Sequence, residues 1–317
     1  MKKAIVNEIM AANNICIVSH DGPDADAVGS SLALESALKQ IGKDVRYILQ
    51  TNVNDAFRTV LGDRVKQIPK NEVFDIVFVL DCSCFDRIQS IDCMKLSPCV
   101  IVIDHHKSEN AEGTICWRED VQSTGVLVYQ LLLELEKTAN LKIDSFIATN
   151  LFMSIRGDTN NFRTNNNNFD IYKMASELMH YNPDIELINE IEKCNFSLMR
   201  LMGKTLNKLV FNSNTGIAYI VITKDEISLC DANYNDASYV INFLNNVKEI
   251  KTIYLIIQNK NRISVKARSS IADVGRIMSE FGGGGHFSAA GISNYQCKDI
   301  FSFIDSLIKK TVRYMNN

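Results

Sequence analysis

Four short, almost uninterrupted apolar runs in the first half of the chain constrain the fold most. They cover residues 15–19, 45–50, 74–80 and 99–103 and read ICIVS, VRYILQ, FDIVFVL and CVIVI. Such runs are typical of parallel strands in a sheet that is covered on both faces. Helical patterns at 28–42, 124–137 and 145–156 alternate with them, the first ending at Gly42. This alternation predicts an α/β domain with a parallel sheet and helices on both faces.

The second half of the chain predicts a smaller α/β domain. Strand patterns at 217–222, 253–258 and 262–267 are followed by a helical pattern at 274–281. The segment before them contains one of only four prolines and then a helical pattern at 197–209. A chain of 317 residues has room for two domains. We expect domains at 1–180 and 206–317, with a linking helix at 181–205 between them.

Composition and charge exclude several classes of protein. A net charge of −3 disfavours binding to long duplex nucleic acid but is compatible with a short phosphorylated ligand. No apolar run reaches the roughly 18 residues of a membrane span, and the first residues do not read as a signal peptide. Nine irregularly spaced cysteines suit free thiols in a reducing compartment. We expect a cytoplasmic protein without a membrane partner.

Acidic and histidine side chains follow three of the four predicted strands. They are His20, Asp24 and Asp26 after the first strand, Asp81 after the third, and Asp104, His105 and His106 after the fourth. Asp158 lies at the end of the helical pattern that begins at 145. Because the carboxyl ends of parallel strands meet at one edge of a sheet, these side chains are expected to lie together. A single Asp there would be a turn or a helix cap, but this explanation does not fit the whole set.

The combination of Asp and His without paired cysteines indicates hard to borderline divalent ions. Mn²⁺ fits best, ahead of Mg²⁺ and Zn²⁺. The side chains offer more ligands than one ion can use while it also holds water and substrate, so we expect two ions with one bridging carboxylate. Two neighbouring ions stabilise both the attacking and the leaving oxygen in phosphoryl transfer. The residues alone therefore predict a two-metal phosphoesterase.

The second predicted domain contains an anion-binding motif. Residues 281–291 read FGGGGHFSAAG, and the upstream strand ends in Arg268, Ser269 and Ser270. A glycine run leaves backbone N–H groups open to an anion, and an Arg can bind a phosphate with two donors. A glycine run alone would be a flexible turn. With Arg268 and His286 near it in sequence, a phosphate clamp is the better interpretation.

These motifs resemble those of the DHH phosphoesterase family, in its DHH–DHHA1 subfamily. The matching stretches, in family order, are VSHDGPDADAVGSSLAL, VLDCS, VIDHH, GDTNNFR, ARSS and GGGGHFSAAG. The resemblance covers nearly the whole chain. It implies a Mn²⁺-dependent hydrolase with two ions per active site, Mg²⁺ being an alternative, and a site in the cleft between an N-terminal DHH domain and a C-terminal DHHA1 domain. Family analogy also favours a homodimer.

The resemblance implies a role for each matching residue. It makes His20 and Asp24 ligands of one ion, Asp26, His105 and Asp158 ligands of the other, and Asp81 the bridge. It makes His106 the catalytic histidine that faces the scissile phosphate, and Asp104 the acid that supports the histidines. It assigns substrate recognition to Arg268, Ser269, Gly284, Gly285 and His286. Arg156 and Gly157 depart from the small residue and Thr expected before Asp158, and we expect this change to alter the pocket wall.

Within the family, the similarity is strongest to bacterial enzymes that degrade very short RNA to nucleoside 5′-monophosphates. These enzymes also dephosphorylate 3′-phosphoadenosine 5′-phosphate (pAp), so the expected partner is short single-stranded RNA or a small nucleotide. The chain begins close to its first strand, and we therefore expect none of the sensory and membrane segments of the membrane-bound cyclic di-AMP enzymes. The alternatives are a soluble phosphodiesterase for cyclic di-AMP or pApA, and a nucleotide sensor without turnover. An inorganic pyrophosphatase is disfavoured because its second domain is of another type.

Overall fold

The computed structural model describes residues 1–49, 53, 55–64, 72–82, 84–88, 94–95, 97–106, 112–163 and 168–315. Gln50 of the second predicted strand and Ser83 of the VLDCS motif lie outside these residues. The chain divides into two compact units, Met1–Lys193 and Cys194–Asn317. The predicted limits of 1–180 and 206–317 stay a prediction, and each unit is described by itself.

The first unit is built on a five-stranded parallel sheet. Its strands are β1 (Asn14–Ser19), β2 (Asp44–Ile48), β3 (Ile76–Leu80), β4 (Cys99–Asp104) and β5 (Ile115–Arg118). The order across the sheet is β2-β1-β3-β4-β5, and every pairing is parallel. Every residue of β3 and β4 is buried, which explains their continuous apolar sequences. The predicted α/β class is confirmed, whereas β5 was not predicted.

Helices cover the larger core of the first unit. They are α1 (Lys2–Ala11), α2 (Ala25–Gln40), α3 (Arg58–Leu61), α4 (Thr124–Thr138), α5 (Ser145–Asp158), α6 (Phe169–Met179) and α7 (Ile185–Glu192). Short 3₁₀ turns occur at Asp55–Phe57, Gly62–Arg64 and Phe85–Arg87. Helix α2 begins three residues before the predicted start, because the Asp24 side chain accepts hydrogen bonds from the N–H groups of Asp26 and Ala27. It ends before Gly42, whose φ of +82° suits a glycine after a helix.

Three glycines allow helices α2, α4 and α5 to approach closely. A Cβ atom on Gly29 of α2 would lie 2.3 Å from the carbonyl oxygen of Asn150 in α5. One on Gly125 of α4 would lie 1.9 Å from Ser154 Oγ, and one on Gly157 of α5 would lie 2.7 Å from the Ala25 Cβ. The close packing brings the start of α2 and of α4 next to the end of α5.

The second unit contains a mixed six-stranded sheet. Its strands are β6 (Val210–Asn212), β7 (Ile217–Thr223), β8 (Thr252–Asn259), β9 (Arg262–Ser269), β10 (Gly284–Gly285) and β11 (Ala289–Gln296). The order is β10-β11-β9-β8-β7-β6, in which only β7 and β8 pair in parallel. The helices are α8 (Phe196–Leu206), α9 (Lys224–Leu229), α10 (Tyr234–Leu244), α11 (Val274–Ser279) and α12 (Ile300–Met315). In the part of the chain that the structure describes, no helix has the length and hydropathy to cross a membrane.

Candidate metal centre

The predicted polar residues of the first unit converge at one edge of its sheet. Strands β1, β3 and β4 are adjacent, so the residues after their carboxyl ends, His20, Asp81 and His105, are neighbours. Helix α2 begins at the same edge and brings Asp24 and Asp26, while α5 ends there with Asp158. The sheet order and the helix packing explain why residues far apart in sequence meet.

The first cluster consists of His20, Asp24 and Asp81. His20 Nε2 lies 4.0 Å from Asp24 Oδ2 and 3.7 Å from Asp81 Oδ2. Its Nδ1 lies 3.0 Å from the carbonyl oxygen of Asp21, which favours a proton on Nδ1 and leaves the Nε2 lone pair free for a cation. Asp24 serves two purposes, because Oδ1 caps helix α2 while Oδ2 faces the histidine.

The second cluster consists of Asp26, His105 and Asp158. His105 Nε2 lies 2.9 Å from Asp158 Oδ2 and 3.7 Å from Asp26 Oδ2. Its Nδ1 lies 3.2 Å from the carbonyl oxygen of Val121, an arrangement like that of His20. Nε2 is buried, and no described residue is aligned to form a hydrogen bond with it, so the contact with Asp158 is one of proximity alone. A ring nitrogen without a hydrogen-bond partner among carboxylate oxygens fits a metal ligand set.

Asp81 lies between the two clusters, since it belongs to the first and forms a further group with His105 and His106. Its Oδ2 faces His20, and its Oδ1 lies 3.5 Å from His105 Nε2. The side chain turns toward this position because the backbone after β3 adopts a left-handed conformation with φ of +57°. Asp is among the few residue types that tolerate this conformation, and the Asp81 N–H donates to the Ile103 carbonyl.

Three residues that the sequence analysis missed hold the carboxylates in place. Asp26 accepts hydrogen bonds from the N–H of Thr124 at 2.7 Å and of Gly125 at 3.1 Å, and from the Ser154 hydroxyl at 2.5 Å. The Thr124 hydroxyl donates to Asp81 Oδ1 at 3.0 Å. Thr124 and Gly125 open helix α4, where backbone N–H groups lack helical partners. The polar sequence Ser-Thr-Gly at the start of a predicted helix was the sequence feature that could have indicated these contacts.

His106 and Asp104 form a pair beside the clusters. Asp104 is completely buried, and its Oδ1 accepts from the His106 backbone N–H at 3.1 Å and from its ring Nδ1 at 2.8 Å. The His106 side chain is 39% exposed, so the ring reaches solvent although its Nδ1 is held. His106 Nδ1 also lies 3.5 Å from Asp81 Oδ1. The pair can present an oriented histidine to a ligand at the metal clusters.

The crowding of carboxylates shifts several pKa values. Burial, together with the charge of Asp158, raises the pKa of Asp26 to about 7. Burial and the neighbouring Asp26 raise the pKa of Asp81 well above its usual range. Burial alone would lower the pKa of His105, but the Asp158 and Asp26 carboxylates outweigh it and raise that pKa to about 9. In the absence of a cation the site retains protons, as expected for a ligand set built around positive charge.

The departure at Arg156 has a structural explanation. Its guanidinium donates to Asn161 Oδ1, Asn189 Oδ1 and Glu192 Oε2. These contacts tie α5 to α7, so Arg156 joins two helices. The expected effect on the pocket wall stays a prediction.

Strand pairing gathers the predicted phosphate-binding residues of the second unit. Arg268 of β9 is opposite Ala289 of β11, and β10 pairs Gly285 with Ala290. The His286 N–H donates to the Ala289 carbonyl, while the His286 side chain is exposed. Gly284 and Gly285 are also exposed. The strand pairing places this loop and Arg268 at the same end of the sheet.

Ser269 is placed differently from Arg268. Its hydroxyl is buried, lies 2.8 Å from Thr252 Oγ1 and accepts from the N–H groups of Ala272 and Ile271. Alternate residues of a strand point to opposite faces, and β9 buries Ser269 while Arg268 is only half-buried. The structure therefore brings Arg268, Gly284, Gly285 and His286 together, and it uses the Ser269 hydroxyl to hold the turn after β9.

Comparison with known proteins identifies the class. Residues 14–155 match the DHH family, N-terminal domain, and residues 216–311 match the DHHA1 domain. The chain therefore combines an N-terminal domain of the DHH family with a DHHA1 domain.

Individual relatives cover nearly the whole chain. The bifunctional oligoribonuclease and PAP phosphatase NrnA of Bacillus subtilis is 26% identical over 98% of this chain and 99% of its own length. The protein of the same description from Mycoplasma genitalium is also 26% identical, over 98% and 99% of the two chains. A crystal structure of an exopolyphosphatase-related protein from Bacteroides fragilis has a TM-score of 0.88 at 26% identity and covers 99% of this chain and 97% of its own.

Proposed function

We propose that this protein is a two-metal phosphoesterase that hydrolyses very short RNA to nucleoside 5′-monophosphates and removes the 3′-phosphate of pAp. The observation that carries the proposal is the position of Asp81, whose two carboxylate oxygens face His20 of the first cluster and His105 of the second. The full-length similarity to proteins described as oligoribonucleases and PAP phosphatases supports this choice of substrates.

The donor set suits two Mn²⁺ ions, with Mg²⁺ as the alternative. His20 and Asp24 would hold one ion, Asp26, His105 and Asp158 the other, and Asp81 would contact both. When bound, such ions lower the pKa of coordinated water and neutralise charge on a phosphoryl group. The clusters fit this purpose because their carboxylates are held by Thr124, Gly125 and Ser154.

The remaining residues of the first unit would act on the substrate. The Asp104 carboxylate orients His106 through Nδ1, which leaves Nε2 of this half-exposed ring to contact a phosphate oxygen. A protonated His106 would stabilise negative charge that develops on that oxygen.

The second unit would bind the end of the substrate. Arg268 offers a cation, and the exposed Gly284, Gly285 and His286 offer a loop that can approach a phosphate closely. We propose that Ser269 is a positioning residue, because its hydroxyl holds the turn next to Arg268. Recognition of one terminal phosphate would favour short substrates.

The test is a hydrolysis assay with Mn²⁺ on pAp, a 5′-labelled RNA trinucleotide, pApA and cyclic di-AMP. We expect turnover of pAp and the trinucleotide and little of the cyclic compound. Preference for cyclic di-AMP would reassign the substrate, and tight binding without turnover would indicate a sensor. The folded Asp81→Ala variant should be inactive, and full activity in that variant would contradict the two-metal proposal.

A further inference from the structure

The second unit contains a cavity of about 390 Å³ at the end of the sheet away from the glycine loop. Strand β9 runs from Arg262 to Ser269, and the cavity contacts its first residues while the loop pairs next to its last. The separation along the strand is about 20 Å at a rise of roughly 3.4 Å per residue. The cavity is therefore a separate place in the fold from the proposed phosphate-binding loop.

The cavity occupies the position where ligands bind in many α/β proteins. Strands β7 and β8 are parallel, and helices α9 and α10 connect them. The lining includes Lys224, which directly follows β7, together with Ile257 and Asn259 from the end of β8. It thus lies outside the carboxyl ends of two adjacent parallel strands, which is the edge of such sheets at which ligands bind. Its size is within the range of small-molecule sites.

The lining combines an apolar floor with cations and an aromatic ring. Ile227, Ile257 and Ile263 supply apolar surface, and Lys224 and Arg262 supply positive charge. Arg262 is held by a hydrogen bond from Nη1 to the Asn294 carbonyl at 3.1 Å. The nearby Glu226 does not neutralise Lys224, because its carboxylate is paired with Lys208 and caps helix α9 through Thr223. The site is therefore electropositive.

Tyr234 is fixed before any ligand arrives. Its hydroxyl lies near the Ser264 side chain, and Lys266 Nζ lies 4.8 Å from the centre of its ring. Lys266 is itself held by Ser238 at 2.5 Å. A ring held in this way loses little conformational entropy when it contacts a ligand. The amides of Asn259 and Asn294 add both donors and acceptors, which the edge of a nucleobase requires.

We propose that this cavity binds a nucleoside monophosphate. The base lies against the isoleucines and Tyr234, and the phosphate pairs with Lys224 and Arg262. The proposal does not depend on the hydrolytic function, because it uses none of the residues of the metal clusters or of the glycine loop.

The test is equilibrium dialysis of the full chain with AMP, GMP, CMP and UMP in turn, in the presence of EDTA. We compare the wild type, Lys224→Gln/Arg262→Gln, His286→Ala and the matched control Lys260→Gln, whose exposed cation lies two residues from Arg262 outside the lining. At least one nucleotide should bind the wild type, and the double variant should bind it about tenfold or more weakly. The control and His286→Ala should retain binding.

Hydrogen exchange gives the location independently of the variants. Addition of the nucleotide should protect residues 224–234 and 257–264. No binding of any of the four nucleotides below about 1 mM, equal affinity in the double variant, or complete loss in His286→Ala would overturn the proposal. Thermal unfolding checks that each variant is folded. Hydrolysis of pAp should be unchanged in the double variant. Because the binding test requires neither metal nor turnover, a wild type that does not hydrolyse pAp would contradict the proposed function but not this site.

Discussion

The two units present their candidate functional groups in opposite ways. In the first unit the central carboxylates, Asp26 and Asp81, are buried and held by hydrogen bonds from Thr124, Gly125 and Ser154. In the second unit the candidate groups are an exposed glycine loop and one half-buried cation, Arg268. The clustered carboxylates of the first unit require a positively charged partner, whereas Arg268 of the second unit itself supplies positive charge. We therefore expect changes in the first unit to affect the chemical step and changes in the second to affect substrate binding.

Loss of one carboxylate charge tests the first half of this comparison most severely. Asp158→Asn keeps the size of the side chain but removes a negative charge 2.9 Å from His105 Nε2. We expect kcat for pAp to fall by about 10²-fold or more, because metal stabilisation of the transition state amounts to several kcal/mol. Steady-state kinetics with Mn²⁺ measures it. Asp170→Asn, an exposed acid at the start of α6, is the control, and wild-type kcat in Asp158→Asn would remove the residue from the site.

Removal of a hydroxyl that holds a carboxylate should have a smaller effect. Thr124→Val keeps the shape of the side chain and the backbone N–H to Asp26, but loses the hydrogen bond to Asp81. We expect kcat to decrease by about 10- to 100-fold, as for other partners of metal ligands. Thr124→Ser should restore most of the activity. Equal rates in the Val and Ser variants would show that the hydroxyl does not position Asp81.

A rise in KM without a change in kcat would support a role for the second unit in substrate binding. His286→Ala removes an exposed side chain of the glycine loop, so we expect KM for the RNA trinucleotide to rise about tenfold with little change in kcat. Hydrolysis of bis-p-nitrophenyl phosphate should be unaffected, because it has no terminal phosphate to bind. His180→Ala, on the surface of the first unit, is the control. An equal loss on both substrates would place His286 in the chemical step.

The smallest expected effect is a dependence of metal binding on pH. Without metal, the raised pKa values of Asp26 and His105 mean that the folded chain holds protons that the unfolded chain releases as pH rises. Its free energy of unfolding therefore falls between about pH 4 and pH 7 through Asp26, and between about 6.5 and 9 through His105. Mn²⁺ displaces these protons, so the increase in Tm that it causes should be larger at about pH 8 than at about pH 6. Equal increases at both pH values would contradict this account.

The positions of the candidate ligands were predictable from sequence because parallel strands end at a common edge. His20, Asp81 and His105 each follow a continuous apolar run, and the pairing of β1, β3 and β4 makes them neighbours. Asp24 shows that a helix cap and a candidate ligand are not exclusive interpretations, since its two oxygens serve different purposes.

The supporting residues were not accessible in the same way. Thr124 and Ser154 are ordinary polar residues in helices, and their contacts with Asp26 and Asp81 depend on how closely three helices pack. The spacing of these residues along the chain does not predict how closely the three helices pack. In the second unit, side chains alternate between the two faces of a strand, so the sequence does predict opposite faces for Arg268 and Ser269.

The three glycines between helices α2, α4 and α5 determine how closely these helices approach one another. At each of Gly29, Gly125 and Gly157 a single methyl group would meet an atom of a neighbouring helix at 2.7 Å or less. An alanine there would force the helices apart and shift Asp26 relative to Asp158, and at Gly125 it would also displace the Ser154 hydroxyl that holds Asp26. The absence of a side chain at these three glycines thus sets the distances between the candidate metal-binding residues.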